Sequence, residues 1–200
     1  MANTSSPFGF IPSRRIDGAA WTGNQTAYPI LSTNTTQIFK GDAVELLPTG
    51  YINQYTKGDG ATTTLNFCGV FVGCKYVSTS QGRVLWSPYW PGSDATSGTV
   101  EAYVIDDPNV VYLAQVLLGA ITFASVGQNV DVGASPVGTT SNGLSGMTAD
   151  SSPAQTATLP WKIVGVRTSP PGVNGTDTTT NYNQIFVTPN LSLWRSLSGI

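Results

Sequence analysis

The chain has 200 residues, of which 40% are hydrophobic and 10% are charged, with a formal net charge of -2; ordinary soluble domains carry about 25% charged residues. The nine Lys and Arg residues form no basic stripe, which argues against nucleic acid as a partner. The longest apolar run, residues 110–124, is interrupted by polar residues and is too short to cross ~30 Å of hydrocarbon, so we expect no membrane contact.

The first segment, residues 1–27, is predicted to be an extended arm. Its motif SSPFGFIPSRRIDGAAWTG alternates Pro and Gly with Phe8, Phe10, Ile11 and Trp21 and offers no strand length of its own. Such an arm cannot bury large apolar side chains by itself, so we expect it to lie across its own body or a neighbouring molecule. It shows no basic start followed by an apolar core, so we expect no secretory leader.

The rest of the chain consists of short runs rich in Val, Ile, Phe, Tyr and Thr, separated by Gly, Pro, Asn and Asp clusters. No window carries a sustained apolar stripe of helical period. This spacing is typical of an all-β sandwich or barrel, and we predict an all-β fold. In chain order the runs are TQIFKGDAVELL, GYINQY, NFCGVFVGCKYV, TVEAYVID, NVVYLAQVLL, NVDVG, LPWKIVGVR and NQIFVTP.

Cys68 and Cys74 lie within one of these runs. A strand rises ~3.3 Å per residue, which would place their Cα atoms about 20 Å apart, whereas a disulfide needs them within ~7 Å. We expect two buried free thiols; a hairpin turning at Gly69 or Gly73 is the alternative. The chain has no His, which excludes a Ser-His-Asp triad, a Cys-His pair and a His-Cys metal site. We therefore predict no catalytic residue, no metal and no cofactor.

The order of motifs in the first half recurs in the second half, which predicts two tandem small β units, each a barrel or a sandwich. We assign residues 28–113 to the first unit and residues 114–200 to the second unit and the tail. The alternative is that the order of motifs recurs by chance in a Gly-rich β protein. The matched positions are Gly41 with Gly127, Gly50 with Gly143, Gly69 with Gly165, and Pro108 with Pro189.

The first unit carries an insertion, at about residues 78–98, that contains the aromatic block VLWSPYWPGSDATSG with Trp86, Tyr89 and Trp90. No equivalent segment recurs in the second unit, so we expect an added loop rather than shared core. Aromatic side chains are enriched at protein interfaces, which favours a docking surface. Stacking of these three rings on sugars is the alternative.

Asp106 and Asp107, which precede Pro108, invite comparison with paired catalytic or metal-binding carboxylates. The second unit has Val187 and Thr188 at the matching place. Asp and Asn beside Pro are ordinary turn residues, so we predict a turn here.

Several motifs together resemble a family of tailed-bacteriophage virion proteins, the head decoration or cement proteins. They are the arm motif, then VFVGCKYV, LWSPYWPG and VEAYVIDDPNVVYLAQV, and finally SGMTADSSPAQTATLPWKIVGVRTSPPGVNG. The resemblance covers most of the chain as an order of motifs, without a catalytic signature. It implies an all-β protein on the outer face of a capsid, where it bridges neighbouring major capsid proteins.

We therefore expect a structural virion protein, made in the host cytoplasm and placed on the capsid exterior. Its expected partners are the major capsid protein and further copies of itself, a trimer being one form. The alternatives are a carbohydrate- or receptor-binding module of a phage fibre and another structural virion role. On this reading, a chain without residues 2–20, or with both Trp86 and Trp90 replaced by Ala, still folds. The predicted interface comprises Phe8, Phe10, Ile11, Arg14, Arg15, Trp21, Trp86, Tyr89, Trp90 and Trp194.

Overall fold

The structure is a computed structural model that describes residues 2–58, 66–133 and 138–195. Within these ranges the regular elements are strands and two 3-10 helices, Phe123–Ser125 and Leu193–Arg195, so the all-β prediction is confirmed. The strands are β1 Ile11–Arg15, β2 Thr26–Pro29, β3 Ile38–Phe39, β4 Ala43–Leu46, β5 Ile52–Gln54, β6 Phe67–Val77, β7 Val84–Ser87, β8 Tyr89–Trp90, β9 Glu101–Ile105, β10 Val110–Gln115, β11 Asn129–Val130, β12 Trp161–Val166 and β13 Gln184–Pro189.

The described strands pair antiparallel and form two large sheets and one small ladder. The first sheet has the order β1-β10-β13-β12-β11, and the second has the order β2-β9-β6-β4-β5, with β7 also paired to β6. The ladder joins β3 to β8. Both large sheets are open in this part of the chain, so the barrel suggested by the strand spacing is not formed.

The two large sheets pack together through one apolar core. Val70 and Ile105 of the second sheet meet residues of the first sheet there. Trp161, at the start of β12, is a central member, with its ring centroid 4.8 Å from that of Phe67 and 5.3 Å from that of Tyr112. A second core lies on the opposite face of the second sheet, which the β3-β8 ladder covers. The second sheet is therefore buried on both faces over much of its area.

Strand β6 runs through the middle of the second sheet for 11 residues. Cys68 and Cys74 both lie on it as buried free thiols, so the sequence prediction for the cysteines is confirmed. Gly69 is required by close packing, because a Cβ there would lie 2.2 Å from the carbonyl oxygen of Ile105 on β9. The absence of a side chain allows β6 and β9 to stay paired at this point.

The boundaries drawn from the sequence fall inside strands. The end of the predicted arm at residue 27 lies within β2, and the boundary between residues 113 and 114 lies within β10. Strand β10 pairs with β1 of the arm on one side and with β13 of the predicted second unit on the other. The arm therefore does form a strand, because β10 offers it an edge to pair with. The relation between the two units stays a prediction.

Candidate functional site

The first residues of the arm are fastened to the body. The side-chain oxygen of Asn3 accepts a hydrogen bond of 2.8 Å from the backbone N–H of Gly175. Gln115, buried at the end of β10, donates to the carbonyl of Thr4 at 3.0 Å and accepts from the N–H of Ser6 at 2.9 Å. The arm thus lies on its own body, which is one of the two positions expected from the sequence.

Phe10 belongs to the main core, so its predicted place in an interface is corrected. Its side chain is 1% exposed and stacks on Trp161 at a centroid distance of 4.4 Å. The preceding Gly9 has a φ of 76°, and a Cβ there would lie 2.7 Å from the carbonyl oxygen of Gly41. Because Gly9 has no side chain, the arm can pass close to Gly41, and the side chain of Phe10 then points into the core.

An apolar groove, here called the arm groove, lies between the arm and the second sheet and has a volume of about 510 Å³. Phe8 and Trp21 are half-buried along it, whereas Ile11 and Leu144 are 47% and 44% exposed. The indole N–H of Trp21 is buried without a hydrogen-bond partner among the described residues. The groove therefore brings together four predicted interface residues, Phe8, Ile11 and Trp21 with the buried Phe10 at its base.

The aromatic block is divided between buried and exposed parts. Trp90 is fully buried, packs edge-on against Tyr76 at a centroid distance of 5.6 Å and donates from Nε1 to the carbonyl of Asn34 at 3.1 Å. Tyr89 is half-buried and stacks on Phe39 at 5.5 Å. Trp90 is therefore not part of an exposed docking loop, contrary to the prediction from the sequence. Because β8 pairs with β3, Trp90 packs into the second core.

Trp86 lies on the exposed part of the block, in β7, and its side chain is 70% exposed. Its ring is nearly parallel to that of Tyr103 on β9, with centroids 5.7 Å apart and 7° between the planes. The Lys75 ammonium of the intervening β6 is 5.6 Å from the indole centroid and 2.9 Å from the Glu101 carboxylate. We call these four residues the aromatic shelf. A depression beside Trp86 and Tyr103 adjoins the arm groove, since Gln25 lines both of them.

The predicted turn at residues 106–109 is confirmed. One oxygen of Asp107 accepts a hydrogen bond of 2.8 Å from the N–H of Asn109, which is the usual bond of an Asp-initiated turn. Asp106 accepts a hydrogen bond of 2.8 Å from the Tyr28 hydroxyl. Both carboxylates are thus engaged in holding the turn and β2 in place.

Two more predicted interface residues, Arg15 and Trp194, are attached to this turn. The Arg15 guanidinium is 2.7 Å from the Asp107 carboxylate, and Nε1 of Trp194 donates to Asp106 at 3.1 Å while its ring stays 58% exposed. Arg14 is half-buried and donates to the backbone carbonyl of Arg15 at 3.3 Å. None of these three described residues lines the arm groove.

Sequence reasoning missed a second exposed apolar surface, residues 117–128, here called the apolar loop. Leu118, Phe123 and Val126 are 55%, 62% and 41% exposed in it. The sequence holds one indication of this surface, because no charged residue occurs anywhere from 108 to 130. The apolar run of residues 110–124, which overlaps this loop, is too short to span a membrane.

The backbone of the apolar loop is fixed from the inside by Asn183, which is fully buried. Its side-chain oxygen accepts from the N–H of Ile121 at 3.1 Å, and its amide donates to the Ile121 carbonyl at 2.7 Å. The carbonyl of Asn183 also accepts from the N–H of Val116 at 2.9 Å. The exposed side chains are therefore carried on a backbone whose shape is set before any partner binds.

Asp42, the most buried carboxylate among the described residues, has a structural role. It accepts hydrogen bonds of 2.7 Å from the N–H of Phe39 and from the Gln54 amide, and another from the Ser145 hydroxyl. Burial raises the pKa of Asp42, and these three bonds act in the opposite direction. In the described ranges, no group of three or more His, Cys, Asp or Glu side chains could hold a metal ion.

Comparisons with protein-family models, with curated proteins and with solved structures find no match to this chain. Within the part of the chain that the structure describes, no helix is long and apolar enough to cross a membrane. The features of the described residues that bear on function are three exposed surfaces: the arm groove, the aromatic shelf and the apolar loop.

Proposed function

We propose that this protein is a structural component of a bacteriophage virion that binds the outer surface of the capsid and bridges neighbouring major capsid proteins. The resemblance of its motifs to head decoration proteins suggests this role. The observation that carries the proposal is the presence of two separate apolar surfaces, the arm groove and the apolar loop, on one body.

These two surfaces lie at opposite edges of the first sheet. The arm groove is lined by Ile11 and Pro12 of β1, which is one edge strand. The apolar loop leads into β11, the other edge strand, and its 3-10 helix packs against β12. A rigid sheet with an apolar contact surface at each edge can hold two partners at a fixed separation, as a bridge between subunits requires.

The composition of these surfaces suits protein contact. The centres of protein interfaces are depleted in charged residues and enriched in aromatic ones, and only 10% of this chain is charged. A standard interface buries about 1,600 Å² in total. When one body engages two partners, the second contact becomes intramolecular and adds avidity. Stabilisation of the capsid then results from the joint action of many modest contacts.

The partner of both surfaces in this proposal is the major capsid protein, with self-association on the capsid as an additional contact. The acidic pI of about 4.8 is consistent with a position on the capsid exterior, away from the packaged DNA. Synthesis in the host cytoplasm precedes assembly.

The test is binding of the purified protein to expanded capsids, with occupancy measured by co-sedimentation and capsid stability measured by thermal release of DNA. Leu144→Asp alters the arm groove and Phe123→Asp alters the apolar loop, while Val173→Asp places the same charge at another exposed apolar position, 42% exposed. Loss of an interface hot spot costs ~2 kcal/mol or more, which is about a thirtyfold loss of affinity.

We expect both surface variants to bind more weakly and the Val173→Asp control to bind normally. At protein concentrations that restore occupancy, each surface variant should still fail to stabilise the capsid, because a bridge needs both contacts. The proposal is wrong if the unaltered protein does not bind capsids. It is also wrong if both variants stabilise capsids as well as the unaltered protein does.

A further inference from the structure

The aromatic shelf has features that apolar docking does not explain. Trp86 is 70% exposed, yet its ring is held in one orientation by Tyr103, 5.7 Å away and nearly parallel, and by the Lys75 ammonium. An exposed Trp on the surface of a sheet is usually free to change rotamer. Here one large aromatic face is fixed in position before a ligand arrives, which lowers the ordering cost of binding.

The backbone next to Trp86 leaves space for a ligand. A depression with a volume of about 340 Å³ lies beside the indole and is lined by Gly73, Trp86, Tyr103 and Gln25 among others. Gly73 of β6, which pairs with Tyr103, contributes no side chain to this depression. That volume lies at the small end of the range for ligand sites, ~300–1,000 Å³.

The polar groups of the shelf are an ion pair and a tyrosine hydroxyl, and the amide of Gln25 lines the depression beside them. Lys75 and Glu101 are 2.9 Å apart and both remain partly exposed, and the Tyr103 hydroxyl donates to the same carboxylate at 3.4 Å. Gln25, at the rim, is exposed. Together these groups offer hydrogen-bond donors and acceptors around an aromatic face, with opposite charges that cancel.

This combination disfavours two other occupants. An apolar protein surface would bury the Lys75–Glu101 pair, and the desolvation of an ion pair is costly. A nucleic acid would stack on the indole but also needs cations for its phosphates, whereas Lys75 is already paired with Glu101. A neutral ligand that presents C–H groups to the ring and hydroxyls to the ion pair satisfies both parts of the shelf.

We infer that the aromatic shelf is a binding site for a neutral carbohydrate. The C–H face of a sugar ring would pack on Trp86, since aromatic faces are electron-rich and attract partly positive C–H groups. The ring hydroxyls would replace water around Lys75, Glu101 and Gln25. This site differs from the one considered in the sequence, because Tyr103 takes the place of Tyr89 and Trp90.

The test is a titration of the isotope-labelled protein with neutral hexose and N-acetylhexosamine oligosaccharides, followed through the indole N–H resonances. The chain has five Trp residues, and the Trp86 resonance is identified by its loss in Trp86→Phe. We expect at least one oligosaccharide to shift this resonance and Trp86→Ala to weaken binding by about tenfold or more. Tyr103→Ala should weaken the same interaction.

Trp194→Ala is the matched control, because Trp194 is also an exposed Trp, at 58%, but lies at the turn of Asp106; its removal should leave sugar binding unchanged. Capsid binding of Trp86→Ala separates this inference from the proposed virion role. The inference is overturned if no oligosaccharide shifts the Trp86 resonance, or if Trp86→Ala binds sugars as well as the unaltered protein. Loss of capsid occupancy with no sugar binding would assign Trp86 to protein contact instead.

Discussion

Phe10 lies flat against Trp161, with ring centroids 4.4 Å apart and 18° between the ring planes. One residue comes from the N-terminal arm and the other begins β12, and neither is more than 1% exposed. Removal of the arm would therefore open the centre of the main core. We therefore expect a chain without residues 2–20 to fold poorly, contrary to the expectation from the sequence.

Phe10→Ala should lower the free energy of unfolding by about 3–5 kcal/mol, because it removes a buried aromatic ring and leaves a cavity beside Trp161. Ile11→Ala is the control, since this neighbouring side chain is 47% exposed and should cost no more than about 0.5 kcal/mol. Denaturation with urea, followed by fluorescence and circular dichroism, measures both values. Equal stability of the two variants would mean that the arm does not contribute to the core.

Cys68 and Cys74 should not react with thiol reagents in the native protein. Burial raises the pKa of each thiol to about 12, so at pH 8 only about one molecule in ten thousand carries the reactive thiolate at either site. We expect no labelling by a disulfide reagent in buffer and labelling of both thiols in denaturant. Rapid labelling of one thiol without denaturant would show that β6 opens locally.

Asp94 should make the protein less stable in acid. It accepts hydrogen bonds of 2.6 Å from the Ser78 hydroxyl and 2.8 Å from the N–H of Ser80, and these bonds lower its pKa to about 2. Because the folded-state pKa lies below the ordinary value of 3.8, ionised Asp94 adds stability above about pH 4 that is lost as the pH falls towards 2.

Asp94→Asn isolates this contribution. Asn tolerates the positive φ of 77° found at this position but cannot ionise. The melting temperature of the unaltered protein should exceed that of the variant at pH 5, and the two should converge near pH 2. A difference that stays constant across this range would indicate that the charge of Asp94 has no role.

Features that depend on neighbouring residues in the chain were predicted well from the sequence. The strand that contains Cys68 and Cys74, and the turn at Asp107, follow from local pattern and from the hydrogen-bonding habits of Asp and Asn. The all-β class follows from the spacing of short apolar runs in the same way.

Features that depend on distant partners were not predicted. Trp86 and Trp90 occur in the same aromatic block. Trp90 is buried because β8 pairs with β3, whereas Trp86 is exposed because β7 pairs only with the C-terminal part of β6. Phe10 and Phe8 likewise look equivalent in the arm, and only the position of Trp161 distinguishes them. No local sequence pattern indicates that Asn183 supports the apolar loop, since its partner Ile121 is far away in the chain.

Asn183→Ala should destabilise the apolar loop and the protein together. The change leaves the N–H and the carbonyl of Ile121 without their partner in a buried place, and an unsatisfied buried group costs about 1–3 kcal/mol. Thr122→Ala, at an exposed position of the same loop, is the control. Urea denaturation measures the stability, and limited proteolysis within residues 117–128 measures the order of the loop. Unchanged proteolysis in Asn183→Ala would show that the loop is fixed by other contacts.

Trp90→Ala and Trp86→Ala should separate stability from surface function within one block. Trp90 is fully buried, meets Tyr76 edge-on and donates from its indole to Asn34, so its loss should cost about 3–5 kcal/mol. Trp86→Ala removes the contacts of the ring with Tyr103 and with the Lys75 ammonium. An aromatic pair contributes about 0.5–1.5 kcal/mol, and an exposed cation–π contact contributes about 0.5–1 kcal/mol. The double variant considered from the sequence cannot distinguish these effects, because the loss of Trp90 alone would unfold much of the second core. Urea denaturation of the two single variants gives the comparison directly, and ligand binding is then measured on the stable one. Equal destabilisation by both changes would show that Trp86 has a structural role, and it would contradict the inference that the aromatic shelf is a preformed site.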